Sequence, residues 1–166
     1  MEKINMKLEH IGDSNNTEPK WAYGDENVQA YGDWIADMAK WDWYGTFTFR
    51  NPTSELLANK NFTKISYGSA VKTFDLFMEK LTSLNGRPFY WVRVTEDSKW
   101  RSAPHFHALI GGAGYLKPYE VERIWYPMAG IAKVYDYDPF KGAAQYLSKT
   151  YGTMEFSTNL ERHRLK

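Results

Sequence analysis

Two histidines stand two residues apart in the run Pro104-His105-Phe106-His107-Ala108-Leu109-Ile110-Gly111-Gly112. On a β-strand successive side chains point to opposite faces, so His105 and His107 share one face while Phe106, Ala108 and Ile110 share the other. The second set suits a core. The first offers two imidazoles at a spacing that lets both reach one metal ion. A catalytic divalent ion needs oxygen ligands as well, and Glu96 and Asp97 close the neighbouring strand. Strict alternation over 89–97 groups Glu96 with Val92 and Val94, and Asp97 with Trp91, Arg93 and Thr95. With the valines in the core, alternation favours Asp97; a twist or bulge at the strand end would bring in Glu96 instead.

A second group of reactive side chains lies in 140–151, read as a helix that Gly152 stops. Ala144, Leu147 and Tyr151 recur at helical spacing and make its apolar face. Tyr146 lies roughly 100° from that face, with Lys149 three residues on and beside it. A phenol, with an ordinary pKa of about 10, is a weak nucleophile at neutral pH. It attacks a phosphodiester when a metal polarises the phosphate and a cation offsets the developing charge. Lys149 is the candidate cation. Arg93, Lys99, Arg101 and Lys141 flank the two groups as candidate phosphate contacts, and Trp100 as a platform for an unpaired base. His10 and His163 fall in poorly patterned ends and receive no role.

The elements that must position these residues can be read in order. The Gly12-to-Lys20 stretch is loop-like. Asp25 resembles an N-cap, and Val28, Tyr31, Ile35 and Met38 predict a helix near 26–40. Trp43 to Phe49 is a strand, and 51–63 is a connection. A helix runs from Ser66 to about Leu84, with Ala70, Val71, Phe74, Phe77, Met78, Leu81 and Leu84 on one stripe and Gly86 just past its end. Strands follow at 89–95, 105–110 and 130–137, with a short helix from Pro118 to about Tyr126 before the last. The order β-α-β-β-α-β predicts an α+β fold: a ferredoxin-like, split βαβ antiparallel sheet with helices on one face, plus an added N-terminal helix. The other face is expected to stay available and to carry the histidines. The chain divides into an N-terminal extension (1–40), a body (41–152) and a polar, loosely ordered tail (153–166).

Composition narrows the chemistry. The 166 residues suffice for one domain with a sizeable core. Residues 1–40 hold eight acids and four bases, leaving the remainder positive by five, a balance that permits nucleic-acid binding. Seven Trp and twelve Tyr supply both core and stacking surfaces. With no cysteine, disulfides, thiolate metal sites and cysteine nucleophiles are excluded. No apolar run reaches the length of a membrane span and no signal-peptide core opens the chain, so no membrane partner is expected and the expected compartment is the cytoplasm.

Three short runs together resemble a known superfamily. Pro104-His105-Phe106-His107-Ala108-Leu109-Ile110 resembles the His-hydrophobe-His motif of the HUH endonucleases. Tyr146-Leu147-Ser148-Lys149 is similar to the Tyr-x-x-Lys motif of its replication-initiator branch, and Gly45-Thr46-Phe47-Thr48-Phe49 sits where the first motif of that branch falls. The resemblance covers about residues 41–152. It implies that His105, His107 and an acidic residue bind Mg²⁺ or Mn²⁺ and that Tyr146 attacks single-stranded DNA at a replication origin. The product would be a 5′-phosphotyrosyl link and a 3′-OH that primes rolling-circle synthesis of a plasmid or virus. In related initiators the carboxylate falls several residues before the first histidine, which favours Glu96 and keeps Asp97 in reserve. Only one catalytic tyrosine is expected, and no helicase domain fits after residue 152, so a host or separate helicase is implied unless the chain is part of something longer. A single-tyrosine transposase would share fold, metal pair and nucleophile, but the lysine after Tyr146 leans toward an initiator. A mobilisation relaxase would place its tyrosine ahead of the histidines. A non-catalytic RNA-binding module could use the same sheet without His105, His107 and Tyr146.

Overall fold

Trp43–Phe49 forms β1 and buries every second residue, as an aromatic, β-branched run does on a sheet covered mainly from one side. The structure is a computed structural model that describes residues 26–50, 53, 58–59, 65–96, 104–149 and 152–163. The expected cap Asp25, most of the 51–63 connection, the 97–103 loop and Tyr151 lie outside the described residues. Helix α1 spans Glu26–Met38 and α2 spans Tyr67–Asn85. The Ser66 hydroxyl accepts the Ser69 N–H at 3.1 Å to start α2, and Gly86, at φ 71°, ends it in the left-handed region that glycine enters without strain. Then come β2 (Tyr90–Glu96), β3 (His105–Gly111), α3 (Pro118–Met128) and β4 (Gly130–Asp136). A 3₁₀ turn at Pro139–Lys141 leads into α4 (Ala143–Lys149), so the one helix expected over 140–151 is a turn and a helix.

With β5 at Met154–Phe156, the sheet order is β4-β1-β3-β2-β5, with every neighbouring pair antiparallel. Its first four strands have the split βαβ arrangement expected from the sequence, an α+β fold. The fifth was not expected. Met154–Phe156 pairs with β2, and Ser157 exchanges hydrogen bonds with Trp91 at 2.9 Å in both directions. Part of the presumed loose tail is therefore a sheet edge; three residues are too few to show a period.

Helices α2 and α3 cover one face. Phe47, Phe74, Phe77, Phe106 and Trp125 interlock there at ring separations of 5.1 to 5.5 Å, each such pair adding about 0.5–1.5 kcal/mol beyond its buried area. The second face is only partly available. Over β2 and β3, Tyr90, Val92, Val94 and Leu109 form a second core with Ile35, Met38 and Trp41 from the α1 region and Ala144 and Leu147 from α4. Over β1 and β4 the face stays open, with Ile131, Lys133 and Tyr135 exposed.

Helix α1 is what seats α4. A Cβ on Gly32 would meet the Gln145 Cα at 2.8 Å, so only glycine lets the two backbones approach this closely. Gln145 Nε2 donates to Asp33 Oδ1 at 2.8 Å, and Ser148 Oγ donates to the Val28 carbonyl at 2.9 Å. Beyond α4, Gly152 passes so near the Thr95 carbonyl that a Cβ would lie 1.6 Å from its oxygen. No described helix is long and apolar enough to cross a membrane.

Candidate metal and nucleophile site

The β2–β3 register sets Glu96 opposite His105 and Val94 opposite His107. Directly paired residues share a face, so Glu96 joins both histidines by plain alternation. Glu96 Oε2 lies 2.6 Å from His105 Nε2 and 2.9 Å from His107 Nε2. The histidines are buried, while the Glu96 side chain is about a third exposed. Buried valines would turn Glu96 away from the histidines only if the sheet had one core. Val92 and Val94 are buried, but in the second core, on the face of the histidines. Asp97 lies outside the described residues.

Three donor atoms within 4.8 Å of one another fit a divalent cation. Ligands about 2.1 Å from an ion and at right angles to each other are about 3 Å apart, close to the two separations at Glu96. Burial pushes the Glu96 carboxyl up, but the His107 hydrogen bond and the His105 charge outweigh it and hold the group below its ordinary value. It is ionised at neutral pH and ready to ligate. His107 Nδ1 has Tyr44 Oη at 3.2 Å and Thr46 Oγ1 at 3.1 Å. A proton on Nδ1 donates to either oxygen and leaves the Nε2 lone pair for an ion beside Glu96. His105 Nδ1 is buried and has no hydrogen-bond partner among the described residues. Two imidazoles and a carboxylate suit Mn²⁺, Fe²⁺ or Zn²⁺, so the donor set selects a class of ion.

Tyr44 and Thr46 are the residues the sequence reading missed. The available signal was parity, because Tyr44, Thr46 and Thr48 are the residues of β1 that face the histidines.

Tyr146 stands over this cluster. Its ring centroid is 4.9 Å from that of His107 and 6.4 Å from that of Tyr44, edge-on to both. The residue is 45% exposed. Burial, and then the Glu96 charge, push its phenol above the ordinary value, so the protein alone does not activate it. A cation held by Glu96 and the histidines would reverse the second of those effects. Lys149 is exposed one turn along the same helix, a neighbour of Tyr146 at i, i+3.

The expected phosphate contacts fare differently. Lys141 is exposed in the turn before α4 and pairs with Asp138 at 3.7 Å. Lys99, Trp100 and Arg101 lie outside the described residues. Arg93 is a correction: it is 1% exposed and points into the first core. Its guanidinium lies under 5 Å from the ring centres of Phe74, Trp91 and Phe106 and pairs with Asp75 at 3.5 Å and with Glu155. It ties β5 and α2 to β2 and is unavailable to DNA. Strand alternation placed it with Trp91 and Thr95, and that face is the aromatic core. Arg93→Ala is expected to destabilise the fold by about 3 kcal/mol in urea titration, while the salt dependence of DNA binding stays as in the wild type. An unchanged urea midpoint would remove this structural role.

No protein-family model matches the chain, and a comparison with curated proteins finds no match. Among solved structures, the non-structural protein-1 N-terminal nuclease domain of minute virus of mice matches at 13% identity and a TM-score of 0.32, over 82% of this chain and 73% of that one. That domain is described as having a unique Zn²⁺ coordination in its active site pocket and a novel mode of DNA recognition at the origin of replication. At this level the likeness carries no argument about activity, and the functional reading rests on the side chains.

Proposed function

We propose that the chain is a metal-dependent, sequence-specific endonuclease that nicks and rejoins single-stranded DNA through a covalent tyrosyl intermediate. It would act as a single-tyrosine HUH-type initiator of rolling-circle replication of a plasmid or virus. One observation carries the reading: a carboxylate and two imidazoles converge directly beneath an exposed phenol. Metal-ligand clusters are common and surface tyrosines are commoner. Their juxtaposition supports a nucleophile acting beside a metal-activated phosphate.

Glu96, His105 and His107 would hold a divalent ion, with Mn²⁺ fitting the donor set better than Mg²⁺, and the ion would supply Lewis-acid polarisation of the scissile phosphate when bound. Tyr146 Oη attacks phosphorus, loses its proton to solvent and forms the O–P bond. The P–O3′ bond breaks, and the departing oxygen takes up a proton as the free 3′-OH. Lys149 offsets the charge that builds on the phosphoryl oxygens. Rejoining is the reverse, with a 3′-OH attacking the phosphotyrosine. Tyr44 and Thr46 orient His107. The partners in this reading are single-stranded origin DNA and a host or separate helicase, in the cytoplasm of the host cell, with 41–152 as the catalytic body.

The test is incubation with end-labelled single-stranded oligonucleotides of randomised sequence, with Mn²⁺ or with EDTA, run on denaturing gels that retain protein. A Mn²⁺-dependent adduct is expected, with the nucleotide found by mass spectrometry on the peptide containing Tyr146. Cleavage without an adduct would move the nucleophile to water. Binding that ignores EDTA and survives loss of His105, His107 and Tyr146, with no cleavage, would make the chain a binding module.

A further inference from the structure

The open half of the second sheet face leads away from the site. The registers align His107, Thr46 and Lys133 in one row across β3, β1 and β4, and His105, Thr48 and Ile131 in the next. At about 4.8 Å per strand, Lys133 lies about 10 Å from His107 on the same face. Lys133 and Ile131 also line a groove of about 500 Å³ between β4 and α3, with Tyr119, Glu122, Arg123 and Tyr126 along its other side. Tyr119 and Tyr126 are two helical turns apart with Arg123 between them, so aromatic, cation and aromatic share one stripe. Both rings are about 60% exposed, and Arg123 and Lys133 are exposed as well. Among the described residues, neither of these two cations is in a salt bridge.

The acid in the groove is already engaged. Glu122 Oε1 accepts the Val134 N–H at 2.8 Å, an outward-facing group of the edge strand. That contact takes one rung on which another β-strand would pair and so disfavours a polypeptide strand there. What remains is two cations outside any salt bridge among the described residues, set between two exposed rings and continuous with the site through Lys133. The Arg50 guanidinium lies 5.2 Å from the centre of the Tyr126 ring and leaves its other face to a base. Phosphates and bases in alternation match that pattern.

We infer that the β4–α3 groove holds the single-stranded DNA flanking the cleavage point, with phosphates on Lys133 and Arg123 and bases stacked on Tyr119 and Tyr126. The inference rests on the DNA-cleaving role proposed for Tyr146, but it is tested without cleavage. A fluorescent single-stranded 20-mer of mixed sequence is titrated in EDTA at several salt concentrations, with unfolding curves confirming that each variant is folded. Lys133→Ala with Arg123→Ala is expected to weaken binding roughly tenfold and to lower the slope of log affinity against log salt by about 1.4, two phosphate contacts on a single strand. Tyr119→Ala and Tyr126→Ala are each expected to weaken it about fivefold or more with the slope unchanged. Affinity and slope within twofold of wild type in all variants, or no binding by the wild type at low salt, would overturn the groove. So would an effect confined to an RNA 20-mer. Failure of the metal-dependent adduct assay, with these binding effects intact, would instead overturn the catalytic reading.

Discussion

Tyr146→Phe is expected to abolish the covalent DNA adduct and to slow cleavage by on the order of 10⁴-fold or more, since the nucleophile itself is removed. The substitution deletes one oxygen. The ring keeps its edge-on packing on His107 and Tyr44, so Mn²⁺ affinity and single-stranded DNA affinity should stay within about threefold of wild type. That separation distinguishes loss of chemistry from loss of structure. The informative failure is an adduct that persists in Tyr146→Phe. Tyr44 is the second phenol near the cluster, but its hydroxyl is held at His107 Nδ1 and its pKa is raised, mainly by burial. If the adduct moves to the peptide containing Tyr44, the nucleophile is on β1 and the role given to α4 is wrong.

Glu96→Ala is expected to weaken Mn²⁺ binding by at least about 100-fold, roughly 2.7 kcal/mol, and to abolish metal-dependent cleavage, whereas Asp97→Ala should do neither. Titration calorimetry reads the first effect with no DNA present. Equal metal affinity in Glu96→Ala and wild type would mean that the pair His105 and His107 recruits another carboxylate. A related effect appears without metal. Because the folded-state pKa of Glu96 is lowered from 4.5, the stabilisation it gives is present above that value and lost as pH falls through the lower folded-state value. In EDTA, the unfolding-temperature difference between wild type and Glu96→Gln should therefore shrink on acidification below pH 4.5.

Much of this was legible in the sequence because period and punctuation agree. The Ser66 cap, the α2 stripe and Gly86 mark one helix unambiguously, and the alternation through His105–Ile110 gives the strand and its faces. The misplaced faces on β2 have one main cause. Reading polar and apolar faces from a single strand presumes one core, and this sheet has a core on each side. Val92 and Val94 consequently seemed to argue for Asp97 when their burial under α1 and α4 is compatible with Glu96. Arg93 seemed a surface cation because its charge outweighed its neighbours in the reading, whereas three aromatic rings and two acids enclose it. Alternation puts Tyr44, Thr46 and Thr48 on one face of β1, but that this face meets the histidines follows only from the β1–β3 register, which no local pattern encodes.

The contact between α1 and α4 has a consequence in populations rather than positions. A helix of seven residues does not persist by itself in water, so the helical state of α4 is a docking equilibrium. Besides the packing of Ala144 and Leu147 in the second core, the terms that hold it are at Val28, Gly32 and Asp33, more than a hundred residues upstream. The ligands sit on strands that need no such help. In the proposed reaction, the fraction of molecules able to react is thus set partly at residues 28–33, while the fraction able to bind metal is set on β2 and β3. Selection can adjust either one and leave the other alone.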